Sequence, residues 1–593
     1  MNEIRTLTVD GKTYDCFQDL VARGSIAGLH TRIDHIEAGG VGGTTEYNRV
    51  SVRDYGAVGD GDADDRQAII DAFTAAKSML PCEVYFPAGT YGISNGIQIE
   101  MAYGTGGLLV RGAGRDITQI KYLESYDPRQ EGVSWYAIRI WPDGMQKKPK
   151  VLPPTENEWL HDISITGLTV YDTDPCAHAI HPDKGDTSKE ETHGFDIQFC
   201  KRVSVTDCNI ITVGDEAIDI CSCHDVVVMN NHVVGSPGAG SAGGAISIGD
   251  GSKGVVVANN TINGTAEDET LDDGTVITKS NFGIAVESLN TPVADVAITG
   301  NTITNVRGSG VHFNTPNDGA SITNLSIADN IISNCFKSVV CDGTYPKAGL
   351  KITGNIISDC AGNAVDMEDF SDVIFCNNTI RNIHGAYAYR GISGSSTQII
   401  CNNLFENIGQ AAMYVSGKLE VKDCVFKNIF TENRTNAAAI VKYGGTMTVS
   451  GCKLINNKSS KGIQNADAVE HTEIELIDAD GKANNGGDAL SGTATKRIIG
   501  GVFGGRVKIS QPNAIVNGLT ITSTNIGNHA LQIAANGVSV IGCNIDITAK
   551  DAINENSGYN GSLIMGNIVN RPITTVGANT VAVNNVDLRN LTA

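Results

Sequence analysis

The segment Val296-Ala-Ile-Thr-Gly-Asn-Thr-Ile303 contains the pattern that decides the fold: a short apolar alternation, a corner of small residues and asparagine, and a second apolar run. The pattern returns 29 residues later as Leu325-Ser-Ile-Ala-Asp-Asn-Ile-Ile332, and the next two copies start 25 and 23 residues further on, at Leu350 and Val373. Self-similarity at a period of about 20 to 50 residues indicates a solenoid, whose units cannot bury their apolar faces alone. Further copies start at Val203, Val255, Gln398, Leu419, Met447, Val538 and Ser562.

Each repeat predicts a coil of short strands joined by tight corners. Alternation with period two places the apolar residues on one face of a strand. Asparagine and glycine accept the left-handed backbone angles that sharp corners require, and stacked asparagine side chains can satisfy one another. With 68 Gly, 15 Pro and 6% aromatic residues, the composition is that of strands and turns. We therefore predict an all-β chain, a right-handed single-stranded parallel β-helix with a short N-terminal helical element and a capping helix.

Three regions are predicted along the chain. Residues 1–48 form an N-terminal attachment or trimerisation element, with helical stretches around Phe17, Leu20 and Val21 and around Leu29, Ile33 and Ile36; a terminus without fixed structure is the alternative. Residues 49–475 form the β-helix, which begins with an amphipathic capping helix at residues 64–80. Residues 476–593 form a C-terminal β-helical or trimerisation region, because a further copy of the repeat starts at Val581.

The charge and the cysteines restrict partners and compartment. A formal net charge of −22 disfavours nucleic acids and anionic membrane surfaces, which are bound by clustered Lys and Arg. No run of about 18 apolar residues predicts membrane insertion, and residues 1–12 lack the apolar run of a signal peptide. The 15 cysteines are scattered singly and are predicted to be free thiols packed as small apolar residues, which favours synthesis in a reducing cytoplasm. Among them are Cys208, Cys335, Cys376, Cys452 and Cys543.

A motif before the repeats resembles the entry segment of the pectate-lyase-like superfamily. It consists of Val52-Arg-Asp-Tyr-Gly-Ala-Val-Gly-Asp-Gly61 and, beyond the predicted capping helix, Val84-Tyr-Phe-Pro-Ala-Gly-Thr-Tyr91. Polygalacturonases and phage tailspikes carry this segment, so the resemblance implies a β-helix that acts on polysaccharides. The acidic run at Asp60, Asp62, Asp64 and Asp65 is interpreted as turn formation and helix capping in preference to a calcium loop.

Residues 191–288 are similar to the polygalacturonase core, with informative substitutions. His193-Gly-Phe-Asp196 falls at its Asn-Thr-Asp-Gly-Ile-Asp motif, Gly214-Asp-Glu-Ala-Ile-Asp-Ile220 at its Gly-Asp-Asp motif, and residues 243–249 at its Gly-His-Gly motif. His193 thus replaces an aspartate, Asp215-Glu216 replaces the Asp pair, and Gly244 replaces a histidine. Glu287 stands where the family has a cation, so pectin is not the expected substrate.

A second register, small-apolar-x-apolar, aligns residues that are distant in sequence. We predict that its x positions face outward in one column, and that a parallel column lies two residues further on. The first column contains Asp196, Asp219, Ser247, Ala285, His312 and Asp366, and the second contains Gln198, Glu287, Asn314, Asp342 and Glu368.

The columns predict acid/base chemistry. Neighbouring rungs lie about 4.8 Å apart, so carboxylates one rung apart are separated by about 5 Å and those two rungs apart by about 9.5 Å. These distances bracket the carboxyl separations of retaining and inverting glycoside hydrolases. Asp219 with Glu287, or the Asp215-Glu216 pair, is predicted to supply the acid and base. Asp196, His193, His312, Asp366 and Glu368 are predicted to bind substrate, and no metal or other cofactor is required. For each acid taken singly, solvation of an acidic surface is the alternative.

The resemblance and the acids together predict a bacteriophage tailspike, a glycan depolymerase that hydrolyses a bacterial capsular or O-antigen polysaccharide. Its expected place is the virion, attached to the phage tail or an adapter through its N-terminus and assembled as a homotrimer. A polysaccharide lyase is one alternative, with His312 or Tyr414 as the base. A non-catalytic glycan-binding adhesin is the other.

Overall fold

The computed structural model describes residues 6–9, 12–15, 47–126, 135–143, 156–172, 192–213, 216–235, 244–264, 269–270, 276–277, 282–392, 397–430, 438–458, 460–477, 487–523, 529–548 and 550–590. The chain divides into two compact units, Met1–Asn330 and Ile331–Ala593. In each unit, successive coils contribute one strand to each of three parallel sheets. The predicted right-handed parallel β-helix is confirmed. No helix in the described ranges has the length and hydropathy needed to cross a membrane.

The sheets are numbered by the order in which a coil enters them. The first sheet of the first unit contains Ile97–Met101, Tyr136–Pro142, His193–Gln198, Ile218–Cys221, Gly244–Gly249, Phe282–Glu287 and Ser309–Thr315. The second contains Asn48–Ser51, Cys82–Phe86, Gly106–Gly112, Leu160–Thr166, Cys200–Thr206, His224–Met229, Lys253–Ala258, Val293–Thr299 and Ile322–Ala328. The third contains Asp60–Asp64, Gly89–Ile93, Thr118–Tyr122, Thr169–Asp172, Asn209–Ile211, His232–Val234, Thr261–Asn263 and Thr302–Thr304.

Shorter elements accompany these sheets in the first unit. Two antiparallel pairs join Thr6–Val9 to Lys12–Asp15 and Glu269–Thr270 to Val276–Ile277. Two 3-10 turns cover Val52–Tyr55 and Glu156–Glu158. The helical stretches predicted around Phe17–Val21 and Leu29–Ile36 lie outside the described residues.

The second unit repeats the three-sheet arrangement. Its first sheet contains Lys337–Gly343, Val365–Glu368, Tyr387–Ile392, Ala411–Val415, Ala438–Lys442, Lys461–Gln464, Asp488–Ser491, Arg506–Ile509, Leu531–Ile533, Ile553–Glu555 and Ile573–Thr574. Its second contains Lys347–Thr353, Phe370–Cys376, Thr397–Cys401, Lys418–Lys422, Thr446–Ser450, Ala468–Glu470, Arg497–Ile499, Ile515–Asn517, Ser539–Ile541, Leu563–Met565 and Val581–Val583. Its third contains Ile331–Ser333, Ile356–Cys360, Thr379–Ile383, Leu404–Ile408, Val425–Ile429, Lys453–Asn457, Glu473–Leu476, Val502–Gly504, Thr520–Ser523, Asn544–Ile547, Ile568–Val569 and Val586–Asp587. A 3-10 turn at Leu588–Asn590 follows.

Asparagine forms the corners between the second and third sheets. Asn230 and Asn259 have left-handed φ angles of 58° and 53°, which asparagine accepts more readily than other non-glycine residues. The next residue of each corner is a buried asparagine whose amide bonds to its counterpart one coil along. Asn301 Nδ2 donates to Val257 O at 2.9 Å, and its Oδ1 accepts from Asn260 N at 2.9 Å and Asn260 Nδ2 at 3.0 Å. The predicted stacking of corner asparagines is confirmed.

The capping helix runs from Arg66 to Lys77, inside the predicted range 64–80. It buries Ile69, Ala72, Phe73 and Ala76, and it packs against the first strands of the β-helix. The Asp65 carboxylate accepts hydrogen bonds from Val58 N at 2.6 Å and Gly59 N at 3.0 Å. This part of the acidic run therefore fixes the turn before the helix, although the Asp65 side chain does not cap the helix itself.

The prediction of free thiols holds for eleven described cysteines and is wrong for Cys376 and Cys401. Cys376 and Cys401 occupy paired positions on neighbouring strands of the second sheet, 4.6 Å apart between Cα atoms, and form a disulfide. The sequence did not indicate the pair because 25 residues separate two cysteines that the coil brings side by side.

Candidate active site

A column of side chains runs along the first sheet of the first unit. Strand pairing places Arg139 beside Asp196, Asp196 beside Asp219, and Asp219 beside Ser247. Ala285 and His312 continue the same column. The flanking residues Phe195 and Ile197 are fully buried and point to the opposite face, toward the coil interior. Within this unit the predicted register is correct, and it extends below Asp196 to Arg139 and Gln98.

Asp196 does not face solvent, contrary to the prediction. It is fully buried and forms an ion pair with Arg139, which is itself only 4% exposed, while Gln198 Nε2 donates to its Oδ2 at 3.1 Å. Burial raises the pKa of Asp196, although the Arg139 guanidinium opposes the rise. The guanidinium also lies over the Tyr136 and Trp141 rings, at 4.2 and 4.6 Å from their centroids. Asp196 and Arg139 therefore support the site from below.

The chemical centre of the site consists of two acids and a tyrosine. We call Glu216 and Asp219 the acid pair, and Tyr136 is the tyrosine that bridges them. Tyr136 Oη lies 2.9 Å from Glu216 Oε2 and 3.1 Å from Asp219 Oδ2. The two carboxylate oxygens are therefore at most about 6 Å apart. A phenol has a single hydroxyl proton, so both contacts are full hydrogen bonds only when one of the two carboxyl groups carries a proton.

The surroundings of Asp219 disfavour its charged form. Burial raises its pKa well above the ordinary value, and the nearby charges of Glu216 and Asp196 raise it further. Burial and the same acids also raise the pKa of Tyr136, which keeps its hydroxyl protonated. A raised pKa is the property that a general acid needs, and Glu216 places a second carboxyl group beside Asp219.

His193 completes the cluster. Its Nδ1 lies 3.4 Å from Glu216 Oε2, and its ring centroid is 4.4 Å from that of Tyr136. The ring is 4% exposed, so it is held between the acid pair and the strand below. Of the predicted site residues, the fold brings together His193, Asp196, Glu216 and Asp219; Asp215 lies outside the described residues.

Glu287 lies farther from Asp219 than the rung height alone suggests. Asp219 aligns with Ala285 through Ser247, so Glu287 is two rungs above Asp219 and two residues further along the strand. At about 4.8 Å per rung and 3.3 Å per residue, the Cα atoms are about 12 Å apart. By comparison, the Glu216 and Asp219 carboxylate oxygens that contact Tyr136 are at most about 6 Å apart.

The remaining predicted residues lie elsewhere. His312 was predicted to face outward into solvent, but it is only 4% exposed. Its ring stacks on Phe282, with 3.9 Å between ring centroids, so it packs against the sheet. Asp366 and Glu368 belong to the second unit, where both bind Arg390.

Sequence reasoning missed Tyr136 and Arg139, although a signal was present. Ala137-Ile-Arg-Ile140 repeats the small-apolar-x-apolar pattern that identified the strands of Asp196 and Asp219. Extending the pattern back by one coil would have placed Arg139 under Asp196. Among the described residues, no group of three or more His, Cys, Asp or Glu side chains is arranged to hold a metal ion.

Comparisons with known proteins agree with this fold. Residues 49–337 match the family model of rhamnogalacturonase A/epimerase, pectate lyase-like, and residues 265–462 match that of the periplasmic copper-binding protein NosD. The pre-neck appendage protein of Bacillus phage B103 is 28% identical over 241 residues, which cover 36% of this chain and 26% of that protein.

Two bacterial proteins are similar over shorter segments. Alginate lyase 7 of Azotobacter vinelandii is 30% identical over 131 residues, 21% of this chain and 12% of that protein. The plasmin and fibronectin-binding protein A of Streptococcus pneumoniae is 62% identical over 47 residues, 8% of this chain and 6% of that protein. The chain thus spans about a quarter or less of the length of these relatives. The match of residues 49–337 to a family model described as pectate-lyase-like agrees with the resemblance carried by the motifs at Val52 and Val84.

Proposed function

We propose that this protein is a virion-borne glycan depolymerase that hydrolyses glycosidic bonds of a bacterial surface polysaccharide. The observation that carries the proposal is the acid pair bridged by Tyr136, because it places a carboxyl group of raised pKa, Asp219, about 6 Å or less from a second carboxyl group. The pectate-lyase-like family of residues 49–337 supports a carbohydrate substrate, and the similarity to a phage appendage protein supports a place in the virion.

The spacing of the acid pair favours a retaining mechanism. Retaining enzymes hold their carboxyl groups about 5 to 5.5 Å apart, whereas inverting enzymes need room for a water between them. In the proposed sequence, Asp219 protonates the leaving glycosidic oxygen while Glu216 attacks the anomeric carbon and forms a glycosyl ester. Asp219, now ionised, then removes a proton from water, and the water oxygen displaces Glu216. Tyr136 and His193 hold Glu216 in place.

A polysaccharide lyase is the second candidate, favoured by the similarity to alginate lyase 7. Elimination requires a base near a sugar proton adjacent to a carboxylate, and Glu216 or Tyr136 would take that role in place of His312 or Tyr414. The products distinguish the two reactions, since a lyase leaves an ultraviolet-absorbing unsaturated end and a hydrolase does not. The similarity to a pneumococcal binding protein keeps the adhesin as a third candidate, which would bind glycan without cutting it.

The test is a depolymerisation assay on purified capsular and O-antigen polysaccharides together with alginate and polygalacturonate. Glu216→Gln and Asp219→Asn should each abolish the fall in viscosity of the polymer that the unaltered protein cuts. Asp225→Asn is the matched control, because Asp225 is exposed on the second sheet and has a left-handed φ of 57° that asparagine also accepts. Activity that survives both site variants would contradict the proposal, as would binding without cleavage by the unaltered protein.

A further inference from the structure

The second unit carries a surface cluster that takes no part in the proposed chemistry. It consists of Tyr387, Arg390, Tyr414 and Tyr443, and we call it the tyrosine–arginine cluster. Arg390 and Tyr414 are paired on neighbouring strands of the first sheet. Tyr387 begins the strand of Arg390, and Tyr443 directly follows the strand Ala438–Lys442. The fold therefore brings three tyrosines from three consecutive coils to one side of the sheet.

The three rings form a continuous ladder. The Tyr387 and Tyr414 rings stack with 4.9 Å between centroids and 26° between planes, and the Tyr414 and Tyr443 rings are 5.9 Å apart at 36°. Contact with its neighbours limits the rotamers of each ring, so little conformational entropy remains to be lost when a ligand binds.

Packing of the coil interior does not explain these rings. The interior positions of the same strands are filled by Tyr389 and Met413, which are fully buried. Tyr443 is 74% exposed, more than any other large hydrophobic side chain in the described ranges, while Tyr387 and Tyr414 are half-buried. Exposed aromatic groups that adjoin one another mark binding surfaces more often than isolated ones do.

Charged groups beside the ladder are held in fixed positions. Arg390 Nη1 donates to Asp366 Oδ1 at 2.7 Å, and the same guanidinium binds Glu368. Lys337 Nζ donates to Asp366 Oδ2 at 3.0 Å. Burial alone would raise the pKa of Asp366, but hydrogen bonds from Arg390, Lys337 and Asn363 outweigh it and lower the pKa. The two cations and two anions balance, so the patch presents many hydrogen-bonding groups without a net charge.

We propose that the tyrosine–arginine cluster is a non-catalytic binding subsite for hydroxyl-rich, uncharged segments of a glycan chain. The C–H face of a pyranose ring packs on aromatic carbon, and its hydroxyls suit fixed carboxylate and guanidinium groups. The balanced charge favours sugar hydroxyls over a polyanion. The choice of a glycan as ligand rests on the proposed function, whereas the existence of a binding surface rests on the cluster alone.

The test uses affinity electrophoresis of the full chain in gels that contain alginate, polygalacturonate, dextran or purified capsular polysaccharides. The Glu216→Gln background keeps the polymers intact. Tyr414→Ala with Tyr443→Ala should weaken binding to the retarding polymer about tenfold or more. Tyr443→Ala alone should weaken binding to the same polymer by a smaller factor, and Tyr443 is too exposed for its loss to affect folding. Tyr559→Ala, a half-buried tyrosine of the second unit outside the cluster, is the matched control and should leave retardation unchanged.

Each outcome has a definite meaning. Equal retardation of the double variant and the Tyr559→Ala control overturns the subsite, and so does the absence of retardation by every polymer. Tyrosine-dependent retardation by the polyanions alginate and polygalacturonate alone overturns the preference for uncharged segments. A change in molar mass of the double variant by light scattering also overturns it and identifies the cluster as a contact between copies of the chain. The two proposals can also fail separately. If the unaltered protein cuts no polymer but binds one of them, and this binding is lost in the tyrosine variants, the result supports the subsite and refutes the proposed hydrolase.

Discussion

Replacing Tyr136 by phenylalanine tests whether its hydroxyl organises the acid pair. The substitution removes one oxygen and leaves the ring, which continues to pack against His193 and under Arg139. The lost atom is 2.9 Å from Glu216 and 3.1 Å from Asp219, and a hydrogen bond to a charged group is worth about 1.5 to 3 kcal/mol. If that free energy is expressed in the transition state, kcat/KM should fall about 10- to 150-fold.

The assay is the initial rate of reducing-end release from the polysaccharide that the unaltered protein cuts. Tyr389→Phe provides the control, because Tyr389 is also a fully buried tyrosine whose hydroxyl donates to a side chain, Gln398 Oε1 at 2.9 Å, but it lies in the second unit. We expect the control to keep the unaltered rate. A Tyr136→Phe protein with unchanged kcat/KM would refute the role of the Tyr136 hydroxyl in organising the acid pair. An equal loss of activity in the control would show that the effect is one of stability and not of chemistry.

Four further outcomes are expected. The anomeric configuration of the first product, followed by proton NMR at early times, should be retained; inversion would contradict the role of Glu216 as nucleophile. The folded-state pKa of Asp219 is raised, so the contribution of this group to stability is complete below the ordinary aspartate pKa and is lost as pH rises through the raised value. Asp219→Asn should therefore increase Tm more at pH 8 than at pH 4. An equal change in Tm at both pH values would argue against a raised pKa of Asp219. Arg139→Met leaves the buried Asp196 carboxylate without its cation and should cost about 3 to 5 kcal/mol in urea unfolding, most of it recovered when Asp196→Leu is added; no recovery would mean that packing of the guanidinium dominates. Asn301→Ala removes the acceptor of Asn260 N and Nδ2 and should destabilise the first unit by about 2 to 6 kcal/mol, whereas Thr323→Ala at an exposed strand position should have little effect.

The fold was predictable because its determinants are local and repeated. Each corner needs a residue that tolerates a left-handed backbone followed by one whose amide can bond to the next coil, and Asn259-Asn260 shows both requirements in the sequence itself. The register of the first sheet followed from the same repetition, which is why the alignment of Asp196 with Asp219 was correct.

The site was only partly predictable, because its chemistry depends on what neighbouring coils place around each acid. Alternation showed that Asp196 points away from the interior, but not that Arg139 would cover it. Tyr136 contacts Glu216 and Asp219, which lie 80 and 83 positions further along the chain, so no pattern within one repeat encodes the contact. The disulfide between Cys376 and Cys401 escaped prediction for the same reason, since it depends on a pairing between coils.

The alternation of faces along the first sheet has a consequence for how such a protein can evolve. Extra residues added between a strand of the third sheet and the next strand of the first sheet lengthen a loop and leave the strand pairing and the asparagine corners intact, so new recognition loops can arise around the acid pair without moving it. One residue inserted within Ile218–Cys221 would instead turn Asp219 into the interior, because strand faces alternate with every residue. Selection is thus expected to vary loop length freely between the third and first sheets while conserving strand length in the three coils that carry Tyr136, His193 and Asp219.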